Sequence, residues 1–148
     1  MARSAQNVFD TAIALMDELD ESGATDTSDT KEYKDRTILI LNILVQELYP
    51  YSATYKKPKA GQRNTARVLQ KMADAVDLDD YIASAVLPYG LAAHLLLEEN
   101  PTAANYFQQR YDELKARLRE GLLAESEDIE DVYSHGSNPL GFEWTTRW

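Results

Sequence analysis

Residues 29–50 read DTKEYKDRTILILNILVQELYP, and this stretch carries the clearest helical pattern of the chain. Asp29 and Glu32 have the spacing of a capping box at its start. Pro50 would end the helix, because proline lacks the N–H that a helix interior needs. The side chains of one face recur every three or four positions, as an α-helix requires. They are Tyr33, Thr37, Ile40 or Leu41, Leu44 and Leu48.

This predicted helix is apolar on most of its sides, because four more apolar residues widen the face: Ile38, Leu39, Ile43 and Val45. A helix of that kind must be covered on most sides. It is therefore either the central helix of a bundle or a helix that a second subunit covers in part. The single sequence favours the first interpretation.

Helical periodicity continues outward from this stretch in both directions. Further helices are predicted over residues 5–20, 65–75, from Asp77 or Asp79 to residue 99, and over residues 101–124. Pro88 predicts a kink near Ala85 or a division into two helices, and Asn100-Pro101 has the form of an N-cap followed by proline. We therefore predict an all-α fold, a single-domain bundle of about five helices over residues 1–124, followed by an extended tail over residues 125–148.

The composition limits the kinds of protein that this chain can be. Its 148 residues suffice for one domain with a core of its own, and it contains no cysteine, which excludes disulfides and thiolate ligands. The longest unbroken apolar run covers only residues 38–41, too short to cross a membrane, and we expect no signal peptide. We therefore expect synthesis in the cytoplasm and no membrane partner.

The charge of the chain is unevenly distributed. The formal net charge is −10, which argues against general binding of nucleic acid. Residues 56–73, however, contain six basic residues and no acidic one. Most of them lie in a predicted long exposed loop over residues 51–64, whose candidate contact residues are Lys56, Lys57, Lys59 and Arg63. A solvated, mobile loop is the favoured interpretation, and a contact for an acidic surface or a nucleic-acid backbone is the alternative.

The tail over residues 125–148 combines an acidic run, turn-forming residues and large apolar side chains. Disordered tails are usually poor in such apolar residues, so we expect this tail to dock. Its candidate contact residues are Ile129, Val132, Tyr133, Phe142, Trp144 and Trp148. The sequence favours neither of two alternatives, in which the tail folds onto its own chain or anchors it to a partner.

Catalytic patterns are missing from the sequence. It contains no phosphate-binding glycine loop, no paired metalloprotease histidines and no serine elbow. His94 and the adjacent carboxylates Glu98 and Glu99 are interpreted as structural or solvated residues, since neighbours on a helix point apart. We expect no enzymatic activity, no metal and no organic cofactor.

Three parts of the sequence together resemble a known family. They are residues 29–34 leading into 40–48, residues 87–93 followed by 95–99 and 107–111, and the ending formed by residues 129–133 and Trp148. The chain resembles the head–tail connector (adaptor) proteins of tailed phages and prophages, and the likeness covers most of its length, least between residues 51 and 76.

This resemblance implies a non-enzymatic structural protein of the virion head–tail interface. It implies a helical bundle that forms a ring of identical copies on the portal and passes DNA through its centre. Contacts with the other copies and with the portal and tail proteins would come from residues 51–64 and 129–148. The alternative function is a small acidic regulator or inhibitor that imitates DNA and binds a basic protein.

Overall fold

The structure, a computed structural model, describes residues 2–18 and 21–124, with side chains up to residue 122. These residues form four α-helices: α1 (Ala5–Leu15), α2 (Lys31–Leu48), α3 (Leu87–Leu95) and α4 (Pro101–Ala124). A 3₁₀ turn over Tyr49–Tyr51 follows α2, and a π-helical turn over Ile82–Val86 precedes α3. The described part contains no named strand, only one isolated bridge between Ser4 and Ala75. The all-α class is confirmed, with four α-helices rather than five, and the predicted tail lies outside the described residues.

The central helix is α3, which packs against α1, α2 and α4. Seven of its nine residues are buried, and α2 instead lies at the side of the bundle. Gly90 explains this arrangement, because a Cβ there would lie 2.9 Å from Tyr111 Cε2 and 3.2 Å from Leu44 Cδ1. Only a small residue lets α2 and α4 approach α3 so closely. The expectation that α2 is central was therefore wrong.

Helix α1 begins with a capping box and ends earlier than predicted. The side chains of Ser4 and Asn7 each accept the other residue's backbone N–H, at 3.2 and 3.1 Å. The helix ends at Leu15, because Asp17 adopts a left-handed φ of 60° that turns the chain away. The last predicted residues, 19 and 20, lie outside the described part of the chain.

The start of α2 also differs from the prediction. Thr30, and not Asp29, occupies the N-cap position, and no side chain caps the helix there. The Thr30 hydroxyl instead donates to the Thr25 carbonyl at 2.7 Å and so ties the preceding loop together. The end was predicted correctly, since Leu48 is the last residue of α2 before the 3₁₀ turn that contains Pro50.

The helix is irregular before Pro88, as predicted, but the irregularity is a π-helical turn that continues directly into α3 and not a division into two helices. Proline has no N–H to donate to the carbonyl four residues earlier. The backbone before it forms a wider π-helical turn, in which the Leu87 N–H donates to the Ile82 carbonyl. Asp79 caps this turn through a 3.0 Å bond from Ile82 N–H. The helix after it ends at Leu95 and not at residue 99.

Helix α4 agrees with its prediction. The Asn100 side chain accepts the Ala103 N–H at 3.1 Å, and proline follows at the first helical position. The predicted inward face is buried at Ala104, Phe107, Tyr111 and Leu114 and half-buried at Leu118. In the described part of the chain, no helix combines the length and apolarity that a membrane crossing needs.

The predicted helix over residues 65–75 is wrong. Residues 65–70 form an extended segment with neither helical nor strand hydrogen bonds of its own, and turns follow. The irregular stretch therefore runs from the end of the 3₁₀ turn to about residue 80, longer than the predicted loop over residues 51–64. The physical reason is that two amide side chains of α2 form hydrogen bonds with backbone N–H and C=O groups of residues 65–70. A helix would have needed the same groups for its own hydrogen bonds.

Candidate interaction surfaces

Two amides of α2 hold the extended segment against the bundle. Asn42 donates to the Leu69 carbonyl at 2.9 Å and accepts the Leu69 N–H at 2.8 Å. Gln46, one helical turn further on, makes the same pair of bonds with Ala66, both at 2.9 Å. Ala66 and Leu69 are buried against the core. We call these four residues the amide clamp.

The turn after the clamp is held by a carboxylate. The backbone N–H groups of Gln70 and Lys71 donate to Asp74 at 2.8 and 2.9 Å, and these bonds lower the pKa of Asp74. The N–H groups of Gln6 and Ala5, at the free start of α1, donate to the carbonyls of Met72 and Asp74. The segment after α2 therefore completes the N-terminus of α1.

An apolar stripe remains uncovered beside the clamp. Leu39 and Ile43, one turn apart on α2, are 72% and 68% exposed, and Val68 on the clamped segment is 61% exposed. We call these three residues the apolar stripe. On the helical wheel of α2, Leu39 and Ile43 lie between Asn42 and Glu47, the residue that pairs with Lys115 of α4, and Val68 precedes Leu69, which Asn42 binds. Three large, exposed apolar side chains in one region mark a candidate contact surface.

The predicted basic contact residues lie together at one end of the molecule. Lys56, Lys57, Lys59 and Arg63 are all exposed, in a loop that Asn64 closes by donating to the Lys56 carbonyl. Arg67 and Lys71 continue the positive charge along the clamped segment, and we call all six residues the basic surface. None of the six forms an ion pair with any other residue that the structure describes.

The opposite end of α2 is acidic. Seven exposed carboxylates lie between the end of α1 and the first turns of α2: Asp17, Glu18, Glu21, Asp26, Asp29, Glu32 and Asp35. We call them the acidic end. Tyr33 is buried beside them and donates to Glu99, and burial followed by this carboxylate raises the pKa of Tyr33 above its ordinary value. The 18 residues of α2, about 27 Å long, separate the acidic end from the loop that carries Lys56 to Arg63, whereas Arg67 and Lys71 lie on the segment that is clamped beside the helix.

Sequence reasoning missed a groove of about 310 Å³ between α1, the π-helical turn and α4. Tyr81 and Tyr89 line it together with Arg110 and Arg117. Arg110 also contacts Glu113 at 3.2 Å, and that carboxylate raises the pKa of Arg110. These residues come from three segments distant in sequence, so no local pattern could have brought them together.

The candidate catalytic groups do not form a site. His94 is exposed and lines a small depression of about 170 Å³ with apolar and amide neighbours. Glu98 and Glu99 are both exposed at the turn between α3 and α4. Within the described residues no three histidine, aspartate or glutamate side chains are grouped as a metal ion would require.

The predicted tail contacts lie beyond the part of the chain that the structure describes; they are Ile129, Val132, Tyr133, Phe142, Trp144 and Trp148. No protein-family model, curated protein or solved structure matches the chain significantly. Function is therefore inferred from the surfaces described above and from the likeness seen in the sequence.

Proposed function

We propose that this protein is a non-enzymatic assembly subunit of a phage or prophage particle, a head–tail connector that forms a ring on the portal. The observation that carries the proposal is the separation of charge along α2, with the basic loop of Lys56 to Arg63 at one end and the acidic end at the other. Head-to-tail contacts between such unlike surfaces generate rings when the rotation closes. Complementary charge also sets the register of the copies.

The uncovered surfaces support an assembly role. A small bundle that leaves Leu39, Ile43 and Val68 more than 60% exposed has apolar area for a contact outside the described core. The net charge of −10 suits a channel wall, because DNA would pass along it without being held. The portal and tail proteins are the partners, and residues 51–64 and 129–148 supply the contacts.

The test uses the portal protein encoded by the same phage or prophage genome. We expect the purified protein to sediment with the purified portal ring and to appear as an added ring in electron micrographs. Trp144→Ala combined with Trp148→Ala should abolish this binding and leave the far-ultraviolet dichroism unchanged. Tyr106→Ala, which removes another exposed aromatic ring, is the matched control and should bind normally. A portal ring that binds none of the wild-type protein contradicts the proposal.

The acidic end favours a second candidate function, that of a DNA mimic. Seven exposed carboxylates at one end could occupy the DNA-binding face of a basic protein. This candidate predicts binding to a basic nucleoid protein of the host, competition with duplex DNA, and loss on Asp29→Asn with Glu32→Gln. The tail tryptophans should then make no difference. Binding to the portal that depends on Trp144 and Trp148 would favour the connector instead.

A further inference from the structure

The apolar stripe has no cover within the described residues, although it lies beside a well-packed core. Leu39, Ile43 and Val68 each expose more than 60% of their surface. Arg67 and Lys71 flank Val68 on the same clamped segment, and both are exposed. An occupant of this surface must therefore offer apolar side chains and carboxylates together.

We propose that residues 125–133 of this same chain dock on the apolar stripe. They read ESEDIEDVY, with five acidic residues and no basic one. Ile129, Val132 and Tyr133 supply the apolar side chains, and the carboxylates between them face the cations of the basic surface. The segment thus offers both apolar side chains for the stripe and negative charge for the cations beside it.

The place where α4 ends puts this segment within reach. Helices α2 and α4 both pack against α3 and run in the same direction, since Tyr33 contacts Glu99 just before α4 and Lys115 contacts Glu47 further along. From Lys115, α4 continues for roughly 13 Å to its end, and Ile43 lies roughly 6 Å before Glu47. The way back from the end of α4 to the stripe is therefore about 20 Å.

An extended chain covers that distance with few residues. At about 3.4 Å per residue, five residues from the end of α4 reach roughly 17 Å and eight reach roughly 27 Å. These lengths correspond to Ile129 and Val132, the first apolar residues of the segment. A tether this short gives the segment a high effective concentration at its own stripe, and this favours its own chain over a second copy. The inference does not depend on the proposed function, and it leaves Phe142, Trp144 and Trp148 for the contacts with portal and tail proteins proposed there.

The test is disulfide formation between two introduced cysteines. No native cysteine interferes, because the chain contains none. Ile43→Cys combined with Val132→Cys should form a disulfide within one chain under mild oxidation. The control is Gln109→Cys with Val132→Cys, since Gln109 is exposed and lies a comparable distance of roughly 22 Å from the end of α4. We expect the first pair to close at least about tenfold faster than the control, measured by mass spectrometry of the monomer.

Two results would overturn the proposal. Equal rates for the two pairs would show that the segment samples the surface at random, and a disulfide found only in dimers would make a second copy the occupant. The pairing of the carboxylates with the basic surface is tested separately. Lys71→Glu, or about 0.5 M salt, should slow closure of the Ile43–Val132 pair at least about twofold and leave the control pair unaffected. Unchanged closure under both conditions would contradict the pairing of carboxylates with the basic surface.

Discussion

Replacing Asn42 by alanine tests whether the amide clamp keeps residues 65–70 in their extended form. The change removes two hydrogen bonds, of 2.9 and 2.8 Å, to the backbone of Leu69, a residue that is only 2% exposed. Each bond contributes about 1 kcal/mol net, and the buried N–H and C=O left without partners raise the total cost to about 2–4 kcal/mol. The better helix propensity of alanine offsets about 0.5 kcal/mol of this. We therefore expect a loss of about 2–3 kcal/mol.

The measurement is urea unfolding followed by far-ultraviolet dichroism, together with a thermal melt. For a domain of this size the loss corresponds to a decrease in Tm of roughly 6–9 °C. Asp35→Ala is the matched control, because it places alanine at an exposed position of the same helix where the structure shows no partner. Gln46→Ala should also destabilise, and the double variant should lose less than the sum, because both amides hold one segment.

Hydrogen exchange gives the local readout of the same perturbation. The amide of Leu69 should exchange at least about tenfold faster in Asn42→Ala, since its bond partner is gone, and that of Ala66 should follow to a lesser degree. If Asn42→Ala is no less stable than Asp35→Ala, or if the Leu69 amide exchanges at the wild-type rate, the clamp does not hold this segment.

Three other changes test the packing, a cap and a buried hydroxyl. Gly90→Ala should lower stability by about 1–3 kcal/mol, because the new methyl group would lie 2.9 Å from the Tyr111 ring, whereas Gly121→Ala, with nothing within 4 Å, should be neutral or stabilising in the same melts. Asp79→Ala should cost about 1–2 kcal/mol in urea unfolding, because its carboxylate caps the π-helical turn and also accepts the Ala53 N–H at 3.0 Å; a loss below that of Asp35→Ala would exclude this role. Burial, and then the charge of Glu47, raises the pKa of Tyr111 above its ordinary value of 10.0, so the unfolded chain releases this proton before the folded one. Stability present below pH 10 should therefore fall as the pH rises further, and less so in Tyr111→Phe; identical alkaline profiles would contradict this account.

Long, regular patterns allowed correct predictions. The inward face of α4 and its Asn100-Pro101 start are as expected, because a helix of 24 residues repeats its period many times. Pro88 likewise predicted an irregularity before α3, which is the π-helical turn, since the loss of one N–H is a local effect. Such features depend on residues close together in sequence, and one sequence is enough to find them.

The segment over residues 65–75 shows what a single sequence cannot provide. Val68, Leu69 and Met72 have helical spacing, yet an extended chain with three residues per turn also brings Ala66, Leu69 and Met72 to one side. Eleven residues are too few to separate a period of 3.0 from one of 3.6. The outcome was decided by the side chains of Asn42 and Gln46, which are 27 and 20 positions away from the residues that they bind.

The surfaces also divide into those that the sequence predicts and those that depend on how distant segments pack. The basic residues from Lys56 to Arg63 were found as a run of like charge, and the structure leaves them exposed. The wide apolar face of α2 was also visible, but its coverage depends on which helices pack against it. Because α3 took the central position, Leu39 and Ile43 were left uncovered. The groove lined by Tyr81 and Arg117 arises only when three distant segments meet.

The amide clamp determines which side chains of residues 66–69 face outward and can contact a partner or another segment. By binding the backbone of Ala66 and Leu69, it turns those two side chains inward, so Arg67 and Val68 between them face outward. The same four hydrogen bonds therefore set both the apolar stripe and the cations beside it. A loss of the clamp should release these residues together, and docking of any acidic, apolar segment on α2 should weaken along with the stability of the bundle. If docking persisted in Asn42→Ala while the Leu69 amide exchanged freely, the segment over residues 65–70 would take no part in the contact surface, and Leu39 and Ile43 alone would form it.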